Sequence, residues 1–206
     1  MAISTRLILV VLPLVTACAA APTAAPYQHF AQYQTKLQLD VGKRSPDSAF
    51  EPVDEHTSYG IEAVISQPGA RGGLELGLFY STDEETRDVS GGRTKFKGTM
   101  TEFSVGGRWE GDLWYAHSRP YASAGASLLF PKYSERPDSG SSRSDSGWAI
   151  GPYIRGGLEW TLTDNLTIAL DYRQVLLSNI VHDVSFGNSH ADANYQQLGI
   201  VLGWQF

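Results

Sequence analysis

The side chains of this chain that could do covalent chemistry sit close together near its carboxy end. His182 and His190 lie near Ser185 and Ser189, with Asp183 and Asp192 as possible acids. A hydroxyl, an imidazole and a carboxylate are the parts of an activated nucleophile, but the base must reach the hydroxyl and be oriented by the acid. His182 and Ser185 have opposite parity in any extended segment, so the spacing does not favour such a triad. His182, Asp183, His190 and Asp192 could equally ligate zinc. All of them fall in one stretch rich in Ser, Asn and Asp, where solvation accounts for them as well. The sequence therefore predicts no catalytic residue, no metal and no cofactor. The only thiol is Cys18, so no intrachain disulfide is available.

A different set of polar residues recurs in the middle of apolar segments. Glu102, Arg108, Arg155, Glu159, Asp171 and Arg173 each adjoin at least one hydrophobic residue, as do Lys36, Asp40, Glu62 and Glu75. What positions them is alternation with a period of two, the signature of β-strands with one apolar face. Eight such runs are legible. The first, Gln34 to Lys43, sets Leu37, Leu39 and Val41 against Lys36, Gln38 and Asp40. The second, third and fourth cover Thr57 to Ser66, Gly73 to Ser81 and about Gly98 to Trp109. Phe96 and Lys97 have the wrong parity for the fourth, which predicts a bulge near Gly98. The fifth, Arg119 to Phe130, is poor in large side chains, and Ala122, Ala124, Ala126, Leu128 and Phe130 form its apolar face. Gly147 to Trp160, Asn165 to Gln174, and a last run through Leu198, Ile200, Leu202, Trp204 and Phe206 complete the set.

Strands of this kind close either a soluble barrel with an apolar interior, such as a lipocalin-like carrier of an apolar ligand, or a transmembrane barrel with a polar lumen. Connection lengths favour the second, because membrane barrels alternate short turns with long loops. The predicted links are Arg44 to His56 (long), Gln67 to Gly72 (short), Thr82 to Lys97 (long) and Glu110 to Ser118 (medium). They continue with Pro131 to Ser146 (long), Thr161 to Asp164 (very short) and Val175 to Asn194 (long). Both chain ends then lie on the short-turn side. The expected fold is an all-β, eight-stranded antiparallel up-and-down transmembrane barrel over residues 33–206. Tyr59, Tyr80, Trp109, Trp148, Trp160, Tyr172 and Trp204 fall near strand ends, as aromatic girdles at membrane interfaces require.

The amino terminus reads as an export signal: Arg6, the apolar run Leu7 to Val15, then small residues. The sequence Val15-Thr16-Ala17-Cys18 resembles the lipobox that directs a diacylglyceryl group onto cysteine. It implies a signal over residues 1–17, lipidation of Cys18, and an Ala/Pro-rich tether over residues 18–32. The formal net charge of −6 argues against a nucleic-acid partner.

Leu198, Ile200, Leu202, Trp204 and the final Phe206 resemble the carboxy-terminal signal read by the outer-membrane assembly machinery. Together with Arg119-Pro120-Tyr121-Ala122, Gly156-Gly157-Leu158-Glu159-Trp160 and Leu162-Thr163-Asp164-Asn165-Leu166, they make residues 33–206 similar to the small eight-stranded outer-membrane barrels. That group includes the transmembrane domain of outer-membrane protein A and the opacity-type and porin-like surface proteins. The resemblance implies a bacterial outer-membrane location with loops at the cell surface, a structural or surface-recognition role, and contact with the assembly machinery and with outer-membrane lipid and lipopolysaccharide. Arg93, Lys95, Lys97 and Lys132 are the residues expected to meet lipopolysaccharide phosphates. Barrels that hydrolyse lipid A acyl chains carry a His-x-Ser-Asn arrangement and a following Glu, which are absent here. Eight strands enclose only enough room for side chains, so the charges named above are expected to pair across the lumen and leave no open pore.

Overall fold

A computed structural model describes residues 33–46, 53, 55–89, 92–112, 117–138, 141–176, 179–180 and 193–206. Cys18, the signal, the tether and the His182 to Asp192 candidates lie outside these residues.

Ten strands follow in chain order: β1 (Gln34–Pro46), β2 (His56–Ser66), β3 (Gly72–Val89), β4 (Gly92–Glu110), β5 (Ser118–Pro137), β6 (Arg143–Ser146), β7 (Ala149–Thr161), β8 (Leu166–Val175), β9 (Asn179–Ile180) and β10 (Tyr195–Gln205). Eight of them form the wall. Each pairs antiparallel with its sequence neighbour in the order β1, β2, β3, β4, β5, β7, β8, β10, and β10 pairs back onto β1. The sheet is therefore a closed barrel with no edge in its wall. The short strands β6 and β9 add to β5 and β7.

The register fixes the tilt. From Gln34, successive cross-strand partners are Ser66, Gly73, Arg108, Ser123, Arg155, Arg173, Gln197 and then Arg44, ten residues further along β1. A stagger of this kind is what strands inclined to the barrel axis require.

Burial is inverted relative to a soluble protein. Leu39, Ile61 and Ile200 are 54%, 58% and 57% exposed, whereas Glu62 and Arg173 are 1% and 0% exposed. The alternation of the sequence thus places apolar side chains on the outer wall and polar ones inside, the reverse of what a carrier of apolar ligands needs. The fifth run shows the expected apolar face, with Ala122, Ala124, Ala126 and Phe130 exposed on the outer wall.

Two expectations are corrected. No bulge occurs near Gly98, since the β3–β4 and β4–β5 registers run unbroken past it. Phe96 keeps the inward parity of Gly98, Met100 and Glu102, because the interior turns apolar toward that end. The link Thr82 to Lys97 is likewise strand: β3 and β4 stay paired from Thr82↔Thr99 to Val89↔Gly92. With the end of β5, Lys132 to Pro137, and with β6 they form a sheet that projects beyond β2, so the predicted link Pro131 to Ser146 is also largely strand. Its outer face is polar and laced with opposite charges, such as Lys95 to Glu84 at 2.5 Å, so it has no apolar period to betray it.

At the other end the connections are tight. Gln67-Pro68-Gly69-Ala70 closes with Ala70 N–H donating to Gln67 O at 3.0 Å. Pro suits the second position of such a turn, and Gly69 supplies the positive φ of 76° at the third. Both neighbours hold the end of the last strand, with Gln205 N–H donating to Asn165 O in the β7–β8 turn at 2.9 Å and Phe206 N–H to Thr35 O in β1 at 3.0 Å.

Candidate functional site

The register row followed above carries inward-facing arginines on four of the eight wall strands: Arg108, Arg155, Arg173 and Arg44, interrupted by Ser123 and Gln197. Because the row climbs as it goes round, the guanidinium groups rise through the lumen as a spiral. Arg155 and Arg173 are direct cross-strand partners, a placement that like charges disfavour. Carboxylates on neighbouring rows offset it. Arg155 donates to Glu62 and, at 2.6 Å, to Asp171, while Arg173 lies 3.9 Å from Glu62 and donates to Glu102 at 2.6 Å. Arg44 is 3.0 Å from Glu102.

Near the short-turn end Lys36 donates to Glu159 at 2.9 Å and to Glu110 at 3.1 Å. Arg108 reaches Glu159 at 3.4 Å and donates to Gln38 at 3.0 Å. The structure therefore joins the six charges singled out from the sequence in three pairs: Arg155 with Asp171, Arg173 with Glu102, and Arg108 with Glu159. Among the described residues the buried charges number six carboxylates (Asp40, Glu62, Glu75, Glu102, Glu159, Asp171) against five cations (Lys36, Arg44, Arg108, Arg155, Arg173). Every one of these carboxylates has a hydrogen bond or a cation within 4 Å, the condition that makes such burial tolerable.

Sequence reasoning missed most of the aromatic half of this network. Tyr121, Tyr153, Tyr195 and Phe79 point inward and carry the arginines on their faces. Arg108 lies 3.7 Å from the Tyr121 ring centre, Arg44 3.9 Å from Tyr195, Arg173 4.0 Å from Tyr153 and 4.6 Å from Phe79. Their hydroxyls serve the carboxylates: Tyr153 donates to Glu75 at 3.0 Å, Tyr121 to Asp171 and Tyr195 to Glu102. The missed signal was glycine. A Cβ at Gly106 would fall on the Tyr153 hydroxyl, and one at Gly125 would meet the same ring at 2.7 Å. Glycines on the polar face thus mark where a ring lies flat against the inner wall.

The two ends of the lumen differ in lining. Toward the short turns lies a polar vestibule of about 520 Å³ lined by Lys36, Arg71, Glu110, Asp112 and Arg119. Toward the long loops the interior fills with Met100, Leu129, Ala149, Tyr153, Val175 and Tyr195.

On the outer wall Trp109, Trp160 and Trp204 stand at the short-turn ends of their strands. Tyr59, Tyr80, Phe130 and Tyr172 lie toward the other end, the two girdles of a bilayer-spanning band. The carboxy-terminal row Leu198, Ile200, Leu202, Trp204 and Phe206 is exposed along that wall. Of the four cations expected to meet phosphates, Arg93 and Lys95 pair with Asp88 and Glu84. Lys97 and Lys132 are exposed without an ion pair among the described residues.

An inverted barrel with a charge-filled lumen and two aromatic girdles is the architecture that a family comparison meets. The model of the outer membrane protein beta-barrel domain matches residues 10–206. The chain belongs to that family. Its place is therefore the bacterial outer membrane. No curated protein matches the chain. Among solved structures it is similar to a major outer membrane protein from Thermus thermophilus, at 11% identity and TM-score 0.63, over 85% of this chain and all of that one. Ail, the attachment invasion locus protein of Yersinia pestis, is similar at 11% identity and TM-score 0.53, over 84% of this chain and 97% of that one. Neisserial surface protein A matches with the same coverage at 18% identity and TM-score 0.51. At these identities the likeness is one of fold.

Proposed function

We propose that the protein is a closed outer-membrane barrel that works through its surface, as a structural element and a recognition platform, and conducts nothing through its lumen. The observation that carries this reading is the lumen itself: a spiral of arginines held by carboxylates and tyrosines between a polar vestibule and an apolar plug. What remains for function is the sheet formed by β3, β4, β5 and β6 beyond the membrane band. That end faces outward, since both ends of the barrel domain lie on the short-turn side. Ail was crystallised with the heparin analogue sucrose octasulfate, and the exposed Lys97 and Lys132 give this barrel cations of its own for phosphates of lipopolysaccharide.

A shortened barrel tests the recognition role. Joining Thr82 to Thr99 by a two-residue turn removes the projecting part of β3 and β4 and leaves the wall intact. The reading expects this variant to show the heat-modifiable mobility of a folded barrel in outer-membrane fractions while failing to restore a surface phenotype of the deletion strain. Full restoration would reduce the role to structure alone.

The same reading includes a diacylglyceryl group on Cys18, supported by the Val15-Thr16-Ala17-Cys18 motif behind an apolar run. Mass spectrometry of the amino-terminal peptide checks it: an adduct is expected, and a mature end beyond Cys18 would remove it. No hydrolytic activity belongs to the proposal. Ser185→Ala combined with Ser189→Ala is expected to leave lipid A acylation unchanged.

A further inference from the structure

Cross-strand rows place the side chains of the outer wall beside one another. Val41 is opposite Tyr59, and Tyr59 is opposite Tyr80. With Leu39, Ile61 and Leu78 they line an apolar groove of about 350 Å³. The next row toward the long loops runs Lys43, Thr57, Thr82, Thr99. Lys43 is exposed and has no ion pair among the described residues. Glu84, one row further out on the same face, would oppose an anion, but it is engaged by Lys95 at 2.5 Å. The Thr82 hydroxyl donates to Gly98 O at 3.3 Å, which leaves its lone pairs free to accept.

A groove between two tyrosines, overlooked by a lysine and a row of hydroxyls, complements both halves of an anionic amphiphile. We propose that the β1–β3 wall binds one molecule of lipid A, a phosphorylated glycolipid. One acyl chain lies in the groove, a phosphate meets Lys43, and sugar hydroxyls meet Thr57 and Thr82. The threonine row favours a sugar over a glycerol headgroup: three adjacent strands at about 4.8 Å spacing offer hydroxyl partners across about 10 Å. The inference rests on the reading above that sets this end of the barrel in the lipopolysaccharide leaflet.

Native mass spectrometry of the full-length protein released from detergent, with lipid A or phosphatidylglycerol added, tests it. Heat-modifiable mobility verifies that each variant is folded. The wild type is expected to retain one lipid A and to hold phosphatidylglycerol less well. Lys43→Ala should weaken retention roughly fivefold, the effect of one interfacial lysine. Ile61→Trp, which fills the groove and suits the lipid face, should abolish it. Retention unchanged in both variants, or phosphatidylglycerol held as firmly as lipid A, would overturn the proposal. Loss confined to Lys97→Ala with Lys132→Ala would overturn it while sparing the lipopolysaccharide contact proposed above. No lipid A on the wild type would overturn both.

Discussion

At the scale of single residues, the interior is held by charges that no single partner neutralises. Arg155 meets Glu62, Asp171 and Glu75, the last at 3.4 Å, so its removal strands several buried carboxylates together. Breaking such a pair from one side typically costs about 3–5 kcal/mol, and Arg155→Ala is expected to lose that much in reversible denaturant unfolding in detergent. Gly106→Leu should also destabilise, by driving Tyr153 from the wall and from Glu75. The sequence made Glu102, Arg108, Arg155, Glu159, Asp171 and Arg173 visible because each interrupts an apolar alternation. Arg44 was invisible for the opposite reason: it lies beyond the last apolar residue of β1, where the alternation stops but the strand continues to Pro46. Phe79 was hard to place because an aromatic ring suits either face, and only glycines across the strands, Gly60 among them, make room for it inside.

At the scale of strands, the outward row decides what environment the barrel tolerates. Ile200, near the middle of β10, faces the band directly. An arginine there should cost about 2–4 kcal/mol in a bilayer, whereas on the solvated outside of a soluble barrel it would cost almost nothing. Unfolding of Ile200→Arg in lipid vesicles measures the difference. The projecting sheet follows other rules. Lys95 hydrogen-bonds the exposed Glu84 and holds its carboxyl below the ordinary value. Because the folded form binds that proton less readily than the unfolded one, the contribution is present above the ordinary carboxylate range and is lost as pH falls through and below it. Amide exchange of residues 83–89 and 92–98 should therefore quicken on acidification from pH 7 to pH 3, relative to exchange in the wall and after correction for intrinsic rates. Equal change in both would remove the ion pair from the account. That this segment is strand was not legible in the sequence, because cross-strand charge pairs such as Lys95 with Glu84 leave no hydrophobic period.

At the scale of the whole molecule, eight antiparallel wall strands with both ends of the barrel on the short-turn side were legible in the sequence, and the ten residues of stagger were not. Strand parity and link length are enough to determine wall order and which face is apolar. They do not determine which side chains meet inside the enclosed space, since that depends on register between strands distant in the chain. Only the register sets four arginines on one rising row and brings Glu62 between two of them. The claim that this row closes the barrel is tested most directly by current through single molecules in planar lipid bilayers. The purified wild type is expected to give no stable conducting level across the working voltage range. The triple variant Arg155→Ala, Arg173→Ala, Glu62→Ala, provided it folds with heat-modifiable mobility, is expected to show small discrete openings. A large, steady conductance from the wild type would contradict the account.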